Sequence, residues 1–142
     1  MKRLTLISLG VRDLKKSGQF FNDLFGWKPF NPDHDKIIFF NMGGWMVGLY
    51  PWELLAEDAQ VNPEGSGFPG ITLALNVVEK EQVAKTLAKA ESLGGKVIKL
   101  AQDVFWGGHS GYFMDLDGHY WEVAYNPFIK TLADGCLDLP KV

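Results

Sequence analysis

The chain has 142 residues, of which 46% are hydrophobic and 22% charged, with a formal net charge of -3. This length and apolar content fit one compact domain with a real core. The slight acidic excess argues against a nucleic-acid surface, which needs a clustered basic face. No apolar run approaches the ~20 residues that span a bilayer. We therefore expect a cytoplasmic protein without nucleic-acid or membrane partners.

The first half of the chain predicts a strand, a helix and two further strands. Apolar alternation predicts the first strand over residues 4–11. Asp13 has the side chain that an N-cap requires, and Gly26 is placed to end the helix that follows. Two strands joined by a glycine turn come next, at residues 37–41 and 45–50.

The second half repeats this order after a segment rich in Pro, Gly and acidic residues, which predicts a linker within residues 51–69. The repeat indicates an α+β fold of two tandem βαβββ modules, each too small to bury a core alone. The predicted elements of the second half are a strand at 70–77, a helix at 79–93, and strands at 97–100, 112–115 and 119–125. The resulting organisation is module 1 at about 1–55, a linker at about 56–68, module 2 at about 69–127 and a tail at 128–142.

The most informative segment is a predicted hairpin near the end of the chain. Residues 115–118, with the sequence Asp-Leu-Asp-Gly, lie between two alternating apolar runs, which is a strong hairpin signal. Successive side chains of a strand point to opposite faces, so each module should have one apolar face for its helix and one mixed face. We expect the mixed faces to curl toward each other and line a cleft. Glu122 falls on such a face, which indicates a role in function rather than in stability.

Two motifs connect this pattern to a known family. They are the run at residues 9–14 after the first strand and the run at residues 115–122 at the end. Together they resemble the vicinal oxygen chelate superfamily, which includes glyoxalase I, bleomycin-resistance proteins, fosfomycin-modifying enzymes and extradiol dioxygenases. The longer stretch at residues 106–127 is similar to a glyoxalase-like bacterial branch. The resemblance covers about residues 1–127 and is specific for the fold rather than for the reaction.

The resemblance also indicates where a metal would bind. Enzymes of that superfamily typically hold a divalent ion with one His or Glu from each of four strands that face the cleft. The matching positions here are Leu6, Gly48, Gly70 and Glu122, and only Glu122 has a ligating side chain. Since a catalytic divalent ion generally needs three protein ligands, we predict no metal and no other cofactor. Metal-dependent glyoxalase I activity is therefore not expected.

A rebuilt metal site is the alternative that we considered. His34 lies in a polar turn, where a solvated side chain is the ordinary case. His119 is three positions from Glu122 on a predicted strand and should face the other way. His109 follows two glycines in a predicted loop and could reach the mouth of the cleft. One histidine and one carboxylate still fall short of three ligands.

A cleft with one carboxylate and several aromatic side chains suits a flat or amphipathic small molecule. Glu122 could hold a cation or a hydroxyl of that molecule, or act catalytically as a general base. Alternatively, Glu122 has no role and is satisfied by Tyr50, Thr72 or water. The candidate ligand-binding residues are Leu6, Ser8, Gly48, Tyr50, Gly70, Thr72, Trp106, His109, Tyr120 and Glu122.

Three functions follow from these observations. The favoured one is a metal-free small-molecule binder, similar to the sequestering resistance proteins of the superfamily. The second is a lyase, isomerase or dioxygenase-type enzyme with Glu122 as general base or as a ligand of a rebuilt metal site. The third is a structural or regulatory protein whose cleft holds another chain. Strand edges and the apolar residues of the tail are compatible with a homodimer, in which the tail covers the cleft or the partner subunit.

Overall fold

The structure is a computed structural model, which describes residues 6–32, 35–60, 62–65, 67–69, 71–130, 132 and 136–137. The chain divides into two compact units, Met1–Pro69 and Gly70–Val142. No helix of the described residues is long and apolar enough to cross a membrane.

The first unit contains a three-stranded sheet and two helices. Its elements are β1 (Leu6–Val11), α1 (Leu14–Phe25), β2 (Ile38–Asn41), β3 (Met46–Pro51) and α2 (Trp52–Asp58). Strand β3 is central and pairs in parallel with β1 and antiparallel with β2. The predicted strands and the predicted first helix are therefore present, and within the described residues their ends differ by no more than one residue from those expected.

Helix α1 begins and ends where the sequence predicts. The Asp13 side chain accepts a hydrogen bond of 3.0 Å from the backbone N–H of Lys16, which satisfies one of the free donors of the first turn. Gly26 ends the helix in the left-handed conformation, with φ of 72°. The helix buries Phe20 and Phe21, whose rings meet edge to face at 5.3 Å. This aromatic face secures the helix against the sheet.

The segment predicted to be a linker begins with helix α2, a helix that the sequence did not predict. Trp52 of this helix packs on β1 at Gly10, where an added Cβ would lie 3.0 Å from the Trp52 ring. The Arg12 guanidinium lies 4.7 Å from the ring centroid, and the indole N–H donates to the Pro63 carbonyl at 2.9 Å. Seven residues span about two turns, which is too short for a helical period to stand out from a polar composition.

The first unit also departs from the full βαβββ pattern. Between α1 and β2, the described residues form only an isolated antiparallel bridge that joins Pro29 to Phe40. Pro29 and Pro32 have no backbone N–H to donate, and proline is tolerated only at sheet edges. The pairing therefore does not extend into a fourth strand.

The second unit has the complete predicted pattern. Its elements are β4 (Leu73–Val77), α3 (Glu81–Ser92), β5 (Lys96–Asp103), β6 (His109–Met114) and β7 (Tyr120–Tyr125). They form a four-stranded sheet of order β4-β7-β6-β5, in which only the β4 and β7 pair is parallel. Helix α3 buries Val83, Leu87 and Ala90, the face that the sequence predicts.

Candidate functional site

The predicted hairpin between β6 and β7 is built around one buried carboxylate. Asp115 Oδ1 accepts from the backbone N–H of Asp117 at 2.9 Å and of His119 at 3.0 Å. Its Oδ2 accepts from the Trp121 indole N–H at 2.9 Å and lies 3.0 Å from His119 Nδ1. Gly118 supplies the positive φ of 88° that the turn needs. These bonds confirm Asp115 as a turn residue and set the register of the two strands.

This register places Glu122 in the middle of the sheet. Glu122 of β7 lies opposite Tyr112 of β6 on one side and Ala74 of β4 on the other. The neighbouring Gly111 faces α3, since an added Cβ there would lie 2.5 Å from Leu87 Cδ1. By strand alternation, Tyr112 and Glu122 lie on the sheet face away from the helix. The small side chain of Ala74 leaves space beside the carboxylate.

Tyr112 is the main site residue that the sequence interpretation missed. Its hydroxyl lies near the side chains of Glu122 and Thr72, which both influence its ionisation. Burial of the hydroxyl is the main cause that raises the pKa of Tyr112, and the neighbouring Glu122 carboxylate raises it further. Thr72 acts on the pKa in the lowering direction. Tyr112 therefore lies within reach of both Thr72 and Glu122.

A cavity of about 320 Å³ opens beside this pair. Glu122 and Trp106 were predicted as site residues and both line it. The hairpin already contained the signal for Tyr112, because counting equal steps on both sides of the turn pairs it with Glu122. The lining residues are Lys99, Gln102, Asp103, Val104, Phe105, Trp106, Ser110, Tyr112 and Glu122.

Two glycines of the loop that carries Trp106 lie against aromatic rings. An added Cβ at Gly108 would lie 2.0 Å from the Trp106 ring, so the ring lies directly on this backbone. Gly107 has a φ of 93°, and the Phe128 ring lies 3.0 Å from its Cβ position. The adjacent Phe105 side chain is fully exposed. The loop thus presents aromatic rings at the cavity without burying them in the core.

His109 lies in a strand rather than in the loop at the mouth of the cleft that the sequence predicted. It is the first residue of β6 and falls, by alternation, on the face of Gly111 rather than that of Glu122. Its Nδ1 lies 2.8 Å from Asp103 Oδ1, which also accepts from Lys80 Nζ at 2.7 Å. The hydrogen bond with Lys80, followed by that with His109, lowers the pKa of Asp103. The same Asp103 contact raises the pKa of Lys80. The structure therefore does not bring His109 to Glu122.

The remaining candidates of the second unit have less direct roles. Tyr120 begins β7 opposite Met114 and shares the face of Glu122 by alternation, but does not line the cavity. Thr72 is exposed just before β4 and contributes through Tyr112. Gly70 lies outside the described residues, as does His34 of the first unit.

The other four candidates share one face of the first sheet. Ser8 pairs with Gly48 across β1 and β3. An added Cβ at Gly48 would lie 3.2 Å from Leu6 Cδ1 and 3.2 Å from Phe39 Cε1, so apolar side chains crowd this position. Tyr50 is half-buried opposite Gly10. A second cavity, of about 340 Å³, is lined by Phe30, Asn41, Gly44, Trp45 and Met46.

The metal positions implied by the family resemblance do not fit a divalent ion. Leu6 and Gly48 carry no ligating atom, and the Leu6 side chain occupies the space that a side chain at position 48 would need. Among the described residues, no group of three His, Cys, Asp or Glu side chains is placed to hold a metal. Glu122 is thus a single oxygen ligand where such sites generally need three.

Comparison with known proteins agrees with the fold. Residues 3–123 match the Glyoxalase/Bleomycin resistance protein/Dioxygenase superfamily, and the chain belongs to this family. A glyoxalase-related enzyme from Fulvimarina pelagi is similar over its whole length. Its sequence is 33% identical to this one. Its crystal structure matches this structure with a TM-score of 0.87, and the match covers 99% of this chain and 100% of that chain.

More distant structures share the architecture. A hypothetical protein from S. aureus is 27% identical, with a TM-score of 0.77 and coverage of 89% of this chain and 95% of that chain. A lactoylglutathione lyase from Agrobacterium tumefaciens is 21% identical, with a TM-score of 0.65 and coverage of 89% and 95%. At this identity the likeness shows the fold alone. No curated protein matches the chain.

Proposed function

We propose that this protein is a metal-free small-molecule binder whose ligand occupies the cavity of the second unit. One observation carries the proposal: Tyr112 and Glu122 lie opposite each other on neighbouring strands and line a cavity that Trp106 also lines. A half-buried carboxylate and phenol add little to a sheet that apolar residues could hold together. Their place in an open cavity is typical of a binding site, in which a few polar groups orient the ligand.

The chemistry of the lining indicates how a ligand would bind. The Glu122 carboxylate lines the cavity and has acceptor positions for a hydroxyl or amine of the ligand. The Trp106 ring offers a flat apolar surface on which a planar group can stack. The donor set at the family's metal positions supports binding without a metal ion.

An enzyme is the second candidate, and the position of Tyr112 beside Glu122 at the cavity favours it. Glu122 would accept a proton from the bound molecule as a general base. Tyr112 would hold the carboxylate in position and stay protonated, since its raised pKa keeps the phenol neutral. This candidate places the reaction in the class of proton abstraction from a small organic substrate.

The test is a binding screen followed by matched variants. Purified protein is mixed with a chemically broad panel of small molecules, and tryptophan emission and thermal stability are recorded. For any ligand found, Tyr112→Phe and Glu122→Gln should each weaken binding about tenfold, as expected for the loss of a hydrogen bond to a charged group. Tyr125→Phe is the control, because Tyr125 lies on the same hairpin but on the opposite face. Unchanged affinity in both site variants would contradict the proposal.

Turnover separates the two candidates. If the ligand is converted, Glu122→Gln should abolish conversion, whereas a binder leaves every ligand chemically intact. Conversion that is unchanged in Glu122→Gln would remove Glu122 from the catalytic role.

A further inference from the structure

We infer that the ligand of this site is a flat organic anion, with its negative group at Lys99 and a hydrogen-bond donor at Glu122. This inference rests on the proposed function, because it names the chemical class that the same cavity selects.

The sheet places the three polar side chains in one row. Lys99 of β5 pairs with Tyr112 of β6, which pairs with Glu122 of β7. Neighbouring strands lie about 4.8 Å apart, so the backbones of Lys99 and Glu122 are about 10 Å apart. All three residues line the cavity. A ligand in this row therefore meets a cation at one end and a carboxylate at the other, with a phenol between them.

The charges around the cavity leave the cation available. Asp103 also lines the cavity, but it is bound by Lys80 at 2.7 Å and by His109 at 2.8 Å. Glu122 lies opposite Tyr112, two strands away from Lys99. Within the described part of the chain, no carboxylate forms a salt bridge with Lys99, whose side chain is half-buried. A carboxylate, sulfonate or phosphate of the ligand would supply the missing counter-charge through a charge-assisted hydrogen bond.

Repulsion from Glu122 does not prevent this arrangement. The separation of about 10 Å equals the distance over which salt at about 0.1 M screens charges. Tyr112 lies between the two ends of the row. The negative group of the ligand therefore feels mainly the adjacent ammonium.

The aromatic loop indicates the body of the ligand. Trp106 and Phe105 line the cavity on the side of β5. The Trp106 ring lies against the backbone at Gly108 and stays partly exposed, so it offers a face to a ligand. A fused or single aromatic ring would stack there and bridge the space between the two polar ends.

Four naphthalene probes test the inference, because they share one flat body. They are 6-hydroxy-2-naphthoate, 2-naphthoate, 2-naphthol and 2-naphthylmethylamine, measured by titration calorimetry and ligand-observed NMR. We expect 6-hydroxy-2-naphthoate to bind at least about tenfold more tightly than 2-naphthol, which lacks the anion. It should also bind more tightly than 2-naphthoate, which lacks the donor. The amine, which has no anion for Lys99, should bind more weakly than 6-hydroxy-2-naphthoate.

Variants locate the anion. Lys99→Met should weaken both naphthoates about tenfold and leave 2-naphthol within about twofold. Lys96→Met is the matched control, since Lys96 is an exposed lysine of the same strand that does not line the cavity. Equal losses of naphthoate affinity in the two variants would show a general charge effect and overturn the inference.

The outcomes also separate this inference from the proposed function. If 2-naphthol binds, depends on Glu122 and gains nothing from a carboxylate, the anion inference fails and the binding site stands. Preference for the amine overturns the inference in the same way. If none of the four probes binds, the inference fails, and so does the assignment of a flat aromatic ligand to this cavity.

Discussion

Asp115 is a charged group in a place where charges are costly. It is 4% exposed, and its two oxygens accept from two backbone N–H groups and the Trp121 indole, with His119 Nδ1 also in contact. A buried carboxylate is tolerated when its lone pairs are occupied in this way. The same atoms join the turn to both strands of the hairpin, so the position of Glu122 depends on a residue outside the cavity.

The first prediction follows from these bonds. Asp115→Asn keeps the shape of the side chain but replaces one acceptor oxygen with an NH2 donor. This donor would face another donor, either the Trp121 indole N–H or a backbone N–H, and one hydrogen bond would be lost. We expect the free energy of unfolding to fall by about 1–3 kcal/mol. Denaturant melts give this value. Asp58→Asn, at an exposed position near the end of α2, should change it by less than about 0.5 kcal/mol, and equal effects would refute the role of Asp115.

Tyr112 provides a pH-dependent prediction. Its pKa is raised above 10.0, mainly by burial, so at alkaline pH the folded chain keeps a proton that the unfolded chain loses. The corresponding stability is complete below pH 10.0 and is lost as the pH rises through the folded pKa. NMR of labelled tyrosine should show Tyr112 titrating above its ordinary value. Glu122→Gln should lower that pKa because it removes the neighbouring charge; an unchanged titration in the variant would contradict the contact.

At the scale of elements, strand β6 is fitted closely under helix α3. A Cβ at Gly111 would lie 2.5 Å from Leu87 Cδ1 and 2.7 Å from the Lys99 carbonyl oxygen. Leu87 could rotate away, whereas the carbonyl belongs to the backbone of β5 and cannot. The glycine therefore determines how near the helix approaches the sheet.

Gly111→Ala should lower the free energy of unfolding by about 1–3 kcal/mol, the usual cost of overpacking. It should also disturb the cavity, since the adjacent Ser110 and Tyr112 line it. Gly65→Ala is the control, because nothing lies within 4 Å of its Cβ position and its φ is not positive. Thermal melting compares the two variants, and a destabilised Gly65→Ala beside an unchanged Gly111→Ala would contradict the packing argument.

Most elements could be predicted because their signals are local. Alternation defined the strands, while Asp13 and Gly26 marked the two ends of α1 by capping chemistry alone. Helix α2 could not be predicted from composition, because its stability comes from Trp52 on Gly10, a contact distant in sequence. Such tertiary packing regularly overrides local propensity.

The candidate site was predictable only in part, for a similar reason. Glu122 and Trp106 were evident as unusual residues, and the hairpin register gave access to Tyr112. Lys99 could not be predicted as a site residue, since β5 is irregular between Val97 and Lys99 and again before Gln102. A bulge moves the following side chains to the other face, so simple alternation does not show which residues of β5 face the cavity.

At the scale of the whole molecule, the family and the residues at its metal positions lead to different expectations about metal binding. The chain belongs to a superfamily whose name includes dioxygenases, but Leu6 and Gly48 offer no ligand atoms. We therefore predict that Ni, Zn, Mn, Co and Fe(II) leave the melting temperature unchanged, because only a ligand of the folded state raises it. Elemental analysis of purified protein should find no stoichiometric metal. Stoichiometric metal that is lost in Glu122→Gln would overturn the metal-free proposal.

Self-association stays a prediction at this scale. Exposed apolar residues at Leu100, Phe105 and Phe128 provide surface that a second copy could cover, and sedimentation equilibrium would measure its extent. Sedimentation as a monomer at every concentration would contradict the homodimer expected from the sequence.

The crowding at Gly48 limits how this sheet could change by mutation. A glutamate there would place its Cβ 3.2 Å from both Leu6 and Phe39, and a smaller or reoriented side chain at either position would relieve the contact. The effect of Gly48→Glu thus depends on what already occupies position 6, which is epistasis between neighbouring residues. A stepwise route toward a metal-ligating set is therefore easier when Leu6 or Phe39 changes before Gly48, because the reverse order passes through a more crowded intermediate.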